Sequence, residues 1–143
     1  MAKVVAICVS DEKGTVKNVV PEVTVEVDHG IVGDAHAGKW HRQISLLGNE
    51  SVDKIRVAMP DIAPGAFAEN ILTEGIELYT LPVGTKLKIG EVLIEITQIG
   101  KQCHAACAIR KLTGDCVMPR EGVFAAVLTG GLLKSGDEIE IVA

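Results

Sequence analysis

Thiols and cationic side chains are concentrated in one stretch of the chain, TQIGKQCHAACAIRKLTGDCVMPREGVFA, which runs from Thr97 to Ala125. Three of the four cysteines lie in this stretch. Its residues that could do chemistry are Lys101, Cys103, His104, Cys107, Arg110, Cys116 and Arg120. Such a group can form a metal site, a disulfide framework or a sulfur nucleophile, or it can belong to ordinary packing.

The surroundings of Cys103 favour a reactive thiol. Cys103 comes just after an apolar run that ends at Gly100, in a position where a loop is expected. The cationic neighbours in sequence are Lys101, His104 and Arg110. Positive charge favours the thiolate, which is the nucleophilic form of cysteine, and a helix beginning near His104 would add partial positive charge at the same place.

Other interpretations of the cysteines stay open. Structural zinc usually takes two pairs of ligands separated by two to four residues, whereas Cys103 and Cys107 form one such pair and Cys116 stands alone. Disulfides are disfavoured in a reducing compartment. Burial as a small apolar side chain is common for cysteine, and we expect it for Cys8, which lies inside the first apolar run.

A second polar stretch, HGIVGDAHAGKWHRQISLL, runs from His29 to Leu47. Its glycines indicate a loop with tight backbone geometry. The polar residues of the loop are His29, Asp34, His36, Lys39, His41 and Arg42. We interpret it as a polar mouth for an anion, in which Arg42 makes a forked contact with a phosphate or carboxylate. A solvated loop is the alternative, and Asp34 with His36 is a weak metal pair.

The elements that must position these residues are mostly strands. Period-two alternation and short apolar runs predict strands at Lys3–Val9, Val23–Asp28, Arg42–Gly48, on both sides of Gly90 within Thr85–Gly100, and at Asp137–Val142. A helix capped by Asn49 or Ser51 is predicted to run to about Met59, and a second short helix to begin near His104. The segment 123–128 is ambiguous between helix and strand. Glu69 and Asn70, between apolar residues, are expected to satisfy backbone groups at a bend.

Many short strands with glycine turns predict a mainly β fold, a closed or nearly closed β-barrel with a few short helices. The length of 143 residues suits one domain, residues 1–143. A net charge of −5 and 3% aromatic residues argue against a nucleic-acid partner, but they leave room for a local basic pocket. Since neither a targeting segment nor a membrane span is visible, we expect a cytoplasmic protein without a membrane partner.

Taken in order, several motifs resemble those of the MOSC domain, a family named after the C-terminal domain of molybdenum cofactor sulfurase, and above all its small stand-alone bacterial members. The motifs are GDAHAG, RQISLL, FAENI, LPVGTKLKIG, TQIGKQCH, CVMPREGVFA and GGLLKSGDEI. The resemblance extends from about His29 to Ile141. It implies a fold similar to the β-barrel domain of pyruvate kinase, and a protein that carries sulfur or handles molybdenum or tungsten cofactor. The cysteine that matches the hallmark cysteine of the family is Cys103.

The resemblance leaves the chemistry of Cys103 with two readings. In the first, Cys103 carries sulfur as a persulfide, and the chain would be a sulfurtransferase-type protein that depends on a partner donor. In the second, Cys103 is a metal ligand in a non-catalytic module that binds a molybdopterin-type cofactor or an oxyanion. An enzyme that acts on a thiolated or N-hydroxylated small molecule is a third reading. The roles of Cys107 and Cys116, as a resolving thiol, a second ligand or packing residues, stay open.

Under the first reading, the other polar residues take supporting roles. The proposed pterin-phosphate ligands are Lys101, Arg42, Arg110 and Arg120. His36 is a further candidate cofactor-binding residue, and His36 and His104 are the candidate proton carriers. No counterpart of the pyridoxal-phosphate desulfurase domain of the sulfurases is visible in the sequence. The persulfide would therefore come from a partner such as a cysteine desulfurase. A molybdoenzyme would be a second partner. The cofactor would be bound transiently. Whether the chain forms a homodimer stays open.

Overall fold

The architecture consists of two β-sheets and few helices, and a computed structural model describes it for residues 2–11, 17–35, 37–67, 69–100 and 121–142. The strands are β1 Lys3–Val9, β2 Asn18–Val20, β3 Glu22–Glu26, β4 Gly30–Ile31, β5 Ile44–Gly48, β6 Ile71–Glu74, β7 Lys86–Ile89, β8 Val92–Ile99, β9 Val123–Thr129, β10 Gly131–Lys134 and β11 Ile139–Ile141. The helices are α1, Asn49–Arg56, and a short 3₁₀ helix, Leu78–Thr80. The prediction of a mainly β fold with few helices is confirmed.

The larger sheet has eight strands in the order β11-β7-β8-β9-β5-β6-β1-β2, and the smaller one has three in the order β10-β3-β4. The β5–β6 pair is parallel and is connected through α1, whereas β5 and β8 both pair antiparallel with β9. Near the two edges of the larger sheet, an isolated bridge joins Lys3 to Glu138. No continuous strand ladder closes a sheet within the described residues, so a closed barrel is not confirmed.

The core lies on both faces of the larger sheet because its central strands are buried on both sides. One cluster includes Val92, Ile94 and Ile96, which point inward from β8 as their alternation predicts. The other cluster lies under α1, where Val52 and Ile55 pack on the sheet. Burial of each such side chain contributes about 1.5–3 kcal/mol. Because β5 and β9 are held from both faces, the loops at their ends have rigid supports.

Several element boundaries differ from the predictions, and one ambiguous segment is assigned. Strand β3 ends at Glu26 because Asp28 adopts φ 55°, so Val27 is 57% exposed instead of continuing the inward row. Helix α1 begins after Gly48, without a side-chain cap, and ends at Arg56. The ambiguous segment 123–128 is part of strand β9, because it has pairing partners on both sides.

None of the helices in the described part of the chain is both long and apolar enough to cross a membrane. The short helix predicted near His104 lies outside the described residues.

Candidate functional site

Strands β8 and β9 meet where residues 101–120, which lie outside the described residues, are attached to the sheet. The N–H of Gly100, just after β8, donates to the carbonyl of Gly122, just before β9, with an N···O distance of 2.6 Å. The stretch that carries Cys103 therefore leaves the sheet and returns to it at one place. The described groups around that place define the candidate site.

Gln98, near the end of β8, is the centre of a polar cluster at this place. Its Oε1 lies 3.2 Å from Arg42 Nε and 2.8 Å from His41 Nε2. Its Nε2 donates to the carbonyl of Gly100 at 2.7 Å. The Thr97 hydroxyl lies within hydrogen-bond distance of the backbone carbonyls of His41 and Phe124 and can donate its hydrogen to either. Strand β8 thus holds the chain immediately before β5.

The Arg42 guanidinium lies near two aromatic rings. Its Cζ lies 5.8 Å from the ring centroid of Trp40 and 5.2 Å from that of Phe124, distances typical of cation–π contacts. The Nη1 and Nη2 atoms make no hydrogen bond or ion pair with other described residues. A guanidinium that is fixed in this way offers a fork of N–H donors that matches a phosphate or carboxylate. The predicted role of Arg42 in binding an anion therefore has a geometric basis.

The returning end of residues 101–120 is attached to α1 through Glu121. Its carboxylate accepts hydrogen bonds from the Ser51 hydroxyl at 2.7 Å and from Lys54 Nζ at 2.8 and 2.7 Å. The Lys54 ammonium also lies 5.6 Å from the ring centroid of Tyr79. A cleft of about 260 Å³ opens beside these groups, and it is lined by Gly48, Glu50, Ser51, Lys54, Ile76, Glu77, Leu78, Tyr79 and Glu121.

Among the predicted site residues, Arg42 is the one that the described residues include. The others, His36, Lys101, Cys103, His104, Arg110 and Arg120, lie outside the described residues, as do Cys107 and Cys116. Their roles stay predictions. In the described part of the chain, no group of three or more His, Cys, Asp or Glu residues is arranged to hold a metal ion.

Sequence reasoning missed three residues of the site: Lys54, Gln98 and Glu121. One signal could have found two of them. Gln98 and Glu121 flank the cysteine stretch within the motifs TQIGKQCH and CVMPREGVFA. Lys54 had no such signal, because a lysine on an amphipathic helix is normally a solvated side chain.

Asp34 does not line a polar mouth, contrary to the interpretation of the 29–47 stretch. Its side chain is fully buried, and its Oδ1 accepts from Lys17 Nζ at 2.7 Å and from the Ser10 N–H at 3.1 Å. The loop is therefore divided, with Asp34 facing the interior and the His41–Arg42 end facing Gln98.

Glu69 and Asn70 are architectural, as predicted. Glu69 is buried and accepts the backbone N–H groups of Gly65 and Phe67. Burial raises the pKa of its carboxyl, and these hydrogen bonds act in the opposite direction. Asn70 joins two strands, because its amide accepts from the Ser45 N–H and donates to the Cys8 carbonyl.

Comparisons with known proteins support the fold. The family model of the MOSC domain matches residues 33–140. The structure is similar to that of the YuaD protein from Bacillus subtilis, with a TM-score of 0.81 and 21% sequence identity over 98% of this chain and 94% of that one. It also resembles YiiM from Geobacillus stearothermophilus, with a TM-score of 0.74 and 18% identity over 100% of this chain and 76% of that one.

A further similar structure is YiiM from Escherichia coli, with a TM-score of 0.68 and 19% identity over 99% of this chain and 70% of that one. No protein in the search of curated proteins matches the chain significantly. At these identities the solved structures establish a shared fold, while the match to the family model establishes the family.

Proposed function

Because this chain belongs to the MOSC domain family, we propose that it carries sulfur for a molybdenum or tungsten cofactor, with Cys103 as the carrier thiol. The observation that supports this proposal best is the oriented Arg42 guanidinium beside the point where the Cys103 stretch begins. Cys103 follows Gly100 by three residues, so the covalent chain limits the distance between their Cα atoms to about 11 Å. An anion held by Arg42 would therefore lie in the neighbourhood of the thiol.

The proposed reaction is a transfer of sulfane sulfur. The Cys103 thiolate attacks the outer sulfur of a donor persulfide and forms a new S–S bond. The S–S bond of the donor breaks, and its electron pair leaves with the donor thiolate. The Cys103 persulfide then passes its outer sulfur to the acceptor. The first step conserves the number of thiolates. In the second step the S–S bond of the Cys103 persulfide breaks, its electron pair stays on Cys103 as the thiolate, and the acceptor supplies the electron pair that binds the transferred sulfur, so neither step needs an external oxidant.

Among the described residues of the site, the Arg42 guanidinium fits the phosphate of a pterin cofactor. Arg42 would hold the phosphate through its Nη atoms, and we propose Lys101, Arg110 and Arg120 as additional cationic ligands. His36 and His104 are the proposed proton carriers. When bound, the cofactor would supply the metal that receives the sulfur. The acceptor is thereby kept beside the thiol by contacts to its phosphate.

The remaining features of the proposal concern the protein as a whole. We propose that residues 1–143 act as one domain in the cytoplasm and receive sulfur from a cysteine desulfurase, because no pyridoxal-phosphate site is proposed in this chain. A molybdoenzyme is the proposed downstream partner. The bridge between Lys3 and Glu138 supports a nearly closed barrel, since it brings the two edge regions of the larger sheet together.

The test is loading of the purified chain by a cysteine desulfurase and cysteine under anaerobic conditions, followed by intact-mass and peptide mass spectrometry. We expect a gain of one sulfur on Cys103 in the wild type and none in Cys103→Ser. Cys8→Ala is the matched control, because this removes a buried thiol and should leave loading unchanged.

Full loading of Cys103→Ser would refute the carrier role. A purified wild-type chain that contains cofactor but takes up no sulfur would instead support the non-catalytic binding module.

A further inference from the structure

Gln98 connects three groups at the beginning of the Cys103 stretch, and its partners determine which way its amide points. Arg42 Nε can only donate, so the atom 3.2 Å from it must be the carbonyl oxygen Oε1. The Gly100 carbonyl can only accept, so the atom 2.7 Å from it must be Nε2. Both contacts require the same orientation of the amide.

This orientation also determines the tautomer of His41. Gln98 Oε1 is an acceptor, so the His41 Nε2 that lies 2.8 Å from it carries the hydrogen. Nδ1 is then the nitrogen of His41 that can accept a proton. Within the described residues, Nδ1 has no hydrogen-bond partner, and the side chain is exposed.

The same amide restrains Arg42. The contacts with Trp40 and Phe124 place the guanidinium near two rings, but cation–π contacts do not set the direction of its N–H groups within the guanidinium plane. The bond from Nε to Gln98 Oε1 fixes that direction, and Nη1 and Nη2 make no hydrogen bond with other described residues. A donor fork whose direction is set in advance loses less entropy when it binds a planar or tetrahedral oxyanion.

We propose that Gln98 is a positioning residue: it orients the Arg42 fork and the His41 tautomer together, so that both serve one phosphate-type oxyanion. Arg42 supplies two N–H donors, and His41 Nδ1 exchanges a proton with the ligand or with solvent. The inference rests on the proposed function only for the identity of the molecule that bears the oxyanion. It adds His41 to His36 and His104, the histidines proposed as proton carriers.

The experiment is titration of the full chain with inorganic phosphate, monitored by NMR of ¹⁵N-labelled histidine and arginine side chains. In the wild type we expect His41 in the Nε2–H form and phosphate-dependent shifts of the Arg42 side chain. Gln98→Met should weaken phosphate binding by about tenfold, the effect of losing one charge-assisted hydrogen bond, and should leave His41 as a mixture of tautomers.

Gln98→Glu is the second variant, and it separates positioning from folding. Its carboxylate still accepts from His41 Nε2, so the Nε2–H form should persist, while its negative charge beside Arg42 should weaken phosphate binding. Two further variants form a matched pair. Arg42→Gln removes one positive charge from the site, and Lys88→Gln removes one from an exposed position on β7. We expect loss of binding for the first and wild-type binding for the second.

Wild-type affinity and a single tautomer in Gln98→Met would overturn the inference, and so would equal affinities of Arg42→Gln and Lys88→Gln. Sulfur loading of the same variants distinguishes the two proposals. If Cys103 loads in the wild type while the Gln98 variants bind phosphate normally, the positioning role fails and the carrier role stands. If the phosphate pattern holds but Cys103 never loads, the carrier role fails.

Discussion

At the scale of single residues, burial determines what a thiol can do. Cys8 lies on β1 with no exposed surface. Burial and, to a lesser degree, the negative charge of Glu69 raise the pKa of its thiol to about 12, against the opposing effect of the positive charge of Lys17. At neutral pH the Cys8 thiol therefore stays protonated and poorly nucleophilic. The same reasoning requires a carrier thiol to be accessible and close to positive charge.

We predict that iodoacetamide leaves Cys8 unmodified in the native chain near neutral pH and modifies it after unfolding in urea. Stability should also depend on alkaline pH in one direction. Above pH 9.0 the unfolded thiol ionises while the folded one stays protonated up to about pH 12, so unfolding becomes easier as pH rises through this window. Urea titrations of the wild type and Cys8→Ala measure the difference. Native Cys8 alkylated as fast as unfolded Cys8 would contradict the prediction.

At the scale of elements, a buried ion pair connects the loop after β4 to the segment before β2. Lys17 Nζ and Asp34 Oδ1 are 2.7 Å apart, and both side chains are fully buried. The Lys17 backbone is also in close contact with Gly65, where a Cβ atom would lie 2.1 Å from the Lys17 carbonyl oxygen. Three segments that carry little regular structure are thereby held against one another beside the sheet.

We predict that Asp34→Ala lowers the free energy of unfolding by about 3–5 kcal/mol, because it leaves a buried ammonium without this carboxylate. The control is Asp53→Ala, which breaks the exposed pair with Arg56 on α1 and should cost about 0.5 kcal/mol or less. Urea unfolding followed by circular dichroism gives both values. Equal losses of unfolding free energy in the two variants would show that the buried ion pair contributes no more to stability than the exposed one.

At the scale of the whole molecule, the end of the chain joins the same core as its beginning. Ile139 on β11 belongs to the cluster that contains Val4 of β1. The amide of Val4 donates to the Asp137 carbonyl and that of Ile139 to the Ala2 carbonyl, each at 2.9 Å. These contacts bring the edge strand β11 to the amino-terminal half of β1.

We predict that Ile139→Ala lowers the free energy of unfolding by about 2–4 kcal/mol, because it opens a cavity where the two regions meet. Ile141 lies on the same strand but is 55% exposed, and Ile141→Ala should cost less than about 1 kcal/mol. Thermal or urea unfolding of the two variants makes the comparison. A smaller loss for the Ile139 variant than for the Ile141 variant would argue against a shared core.

Sequence patterns were sufficient to predict the positions of most strands, because alternation shows directly which side chains face the core. Strand β1 has the predicted bounds, and β8 buries the predicted row. Capping was predicted wrongly: Ser51 was a candidate cap for α1, but its hydroxyl donates to Glu121, seventy residues away in sequence. A local cap and a distant acceptor compete for one hydroxyl, and the sequence around Ser51 holds no sign of the second.

The amino-acid sequence by itself determined the mainly β class, the membership in a family and the choice of Cys103 and Arg42, because periodicity and ordered motifs are local properties of a chain. Only the tertiary structure decided that Asp34 turns inward to Lys17 and that Gln98 holds both Arg42 and His41. Those partners are brought together by strand pairing and by the exclusion of water from the core, and both depend on contacts between residues far apart in sequence.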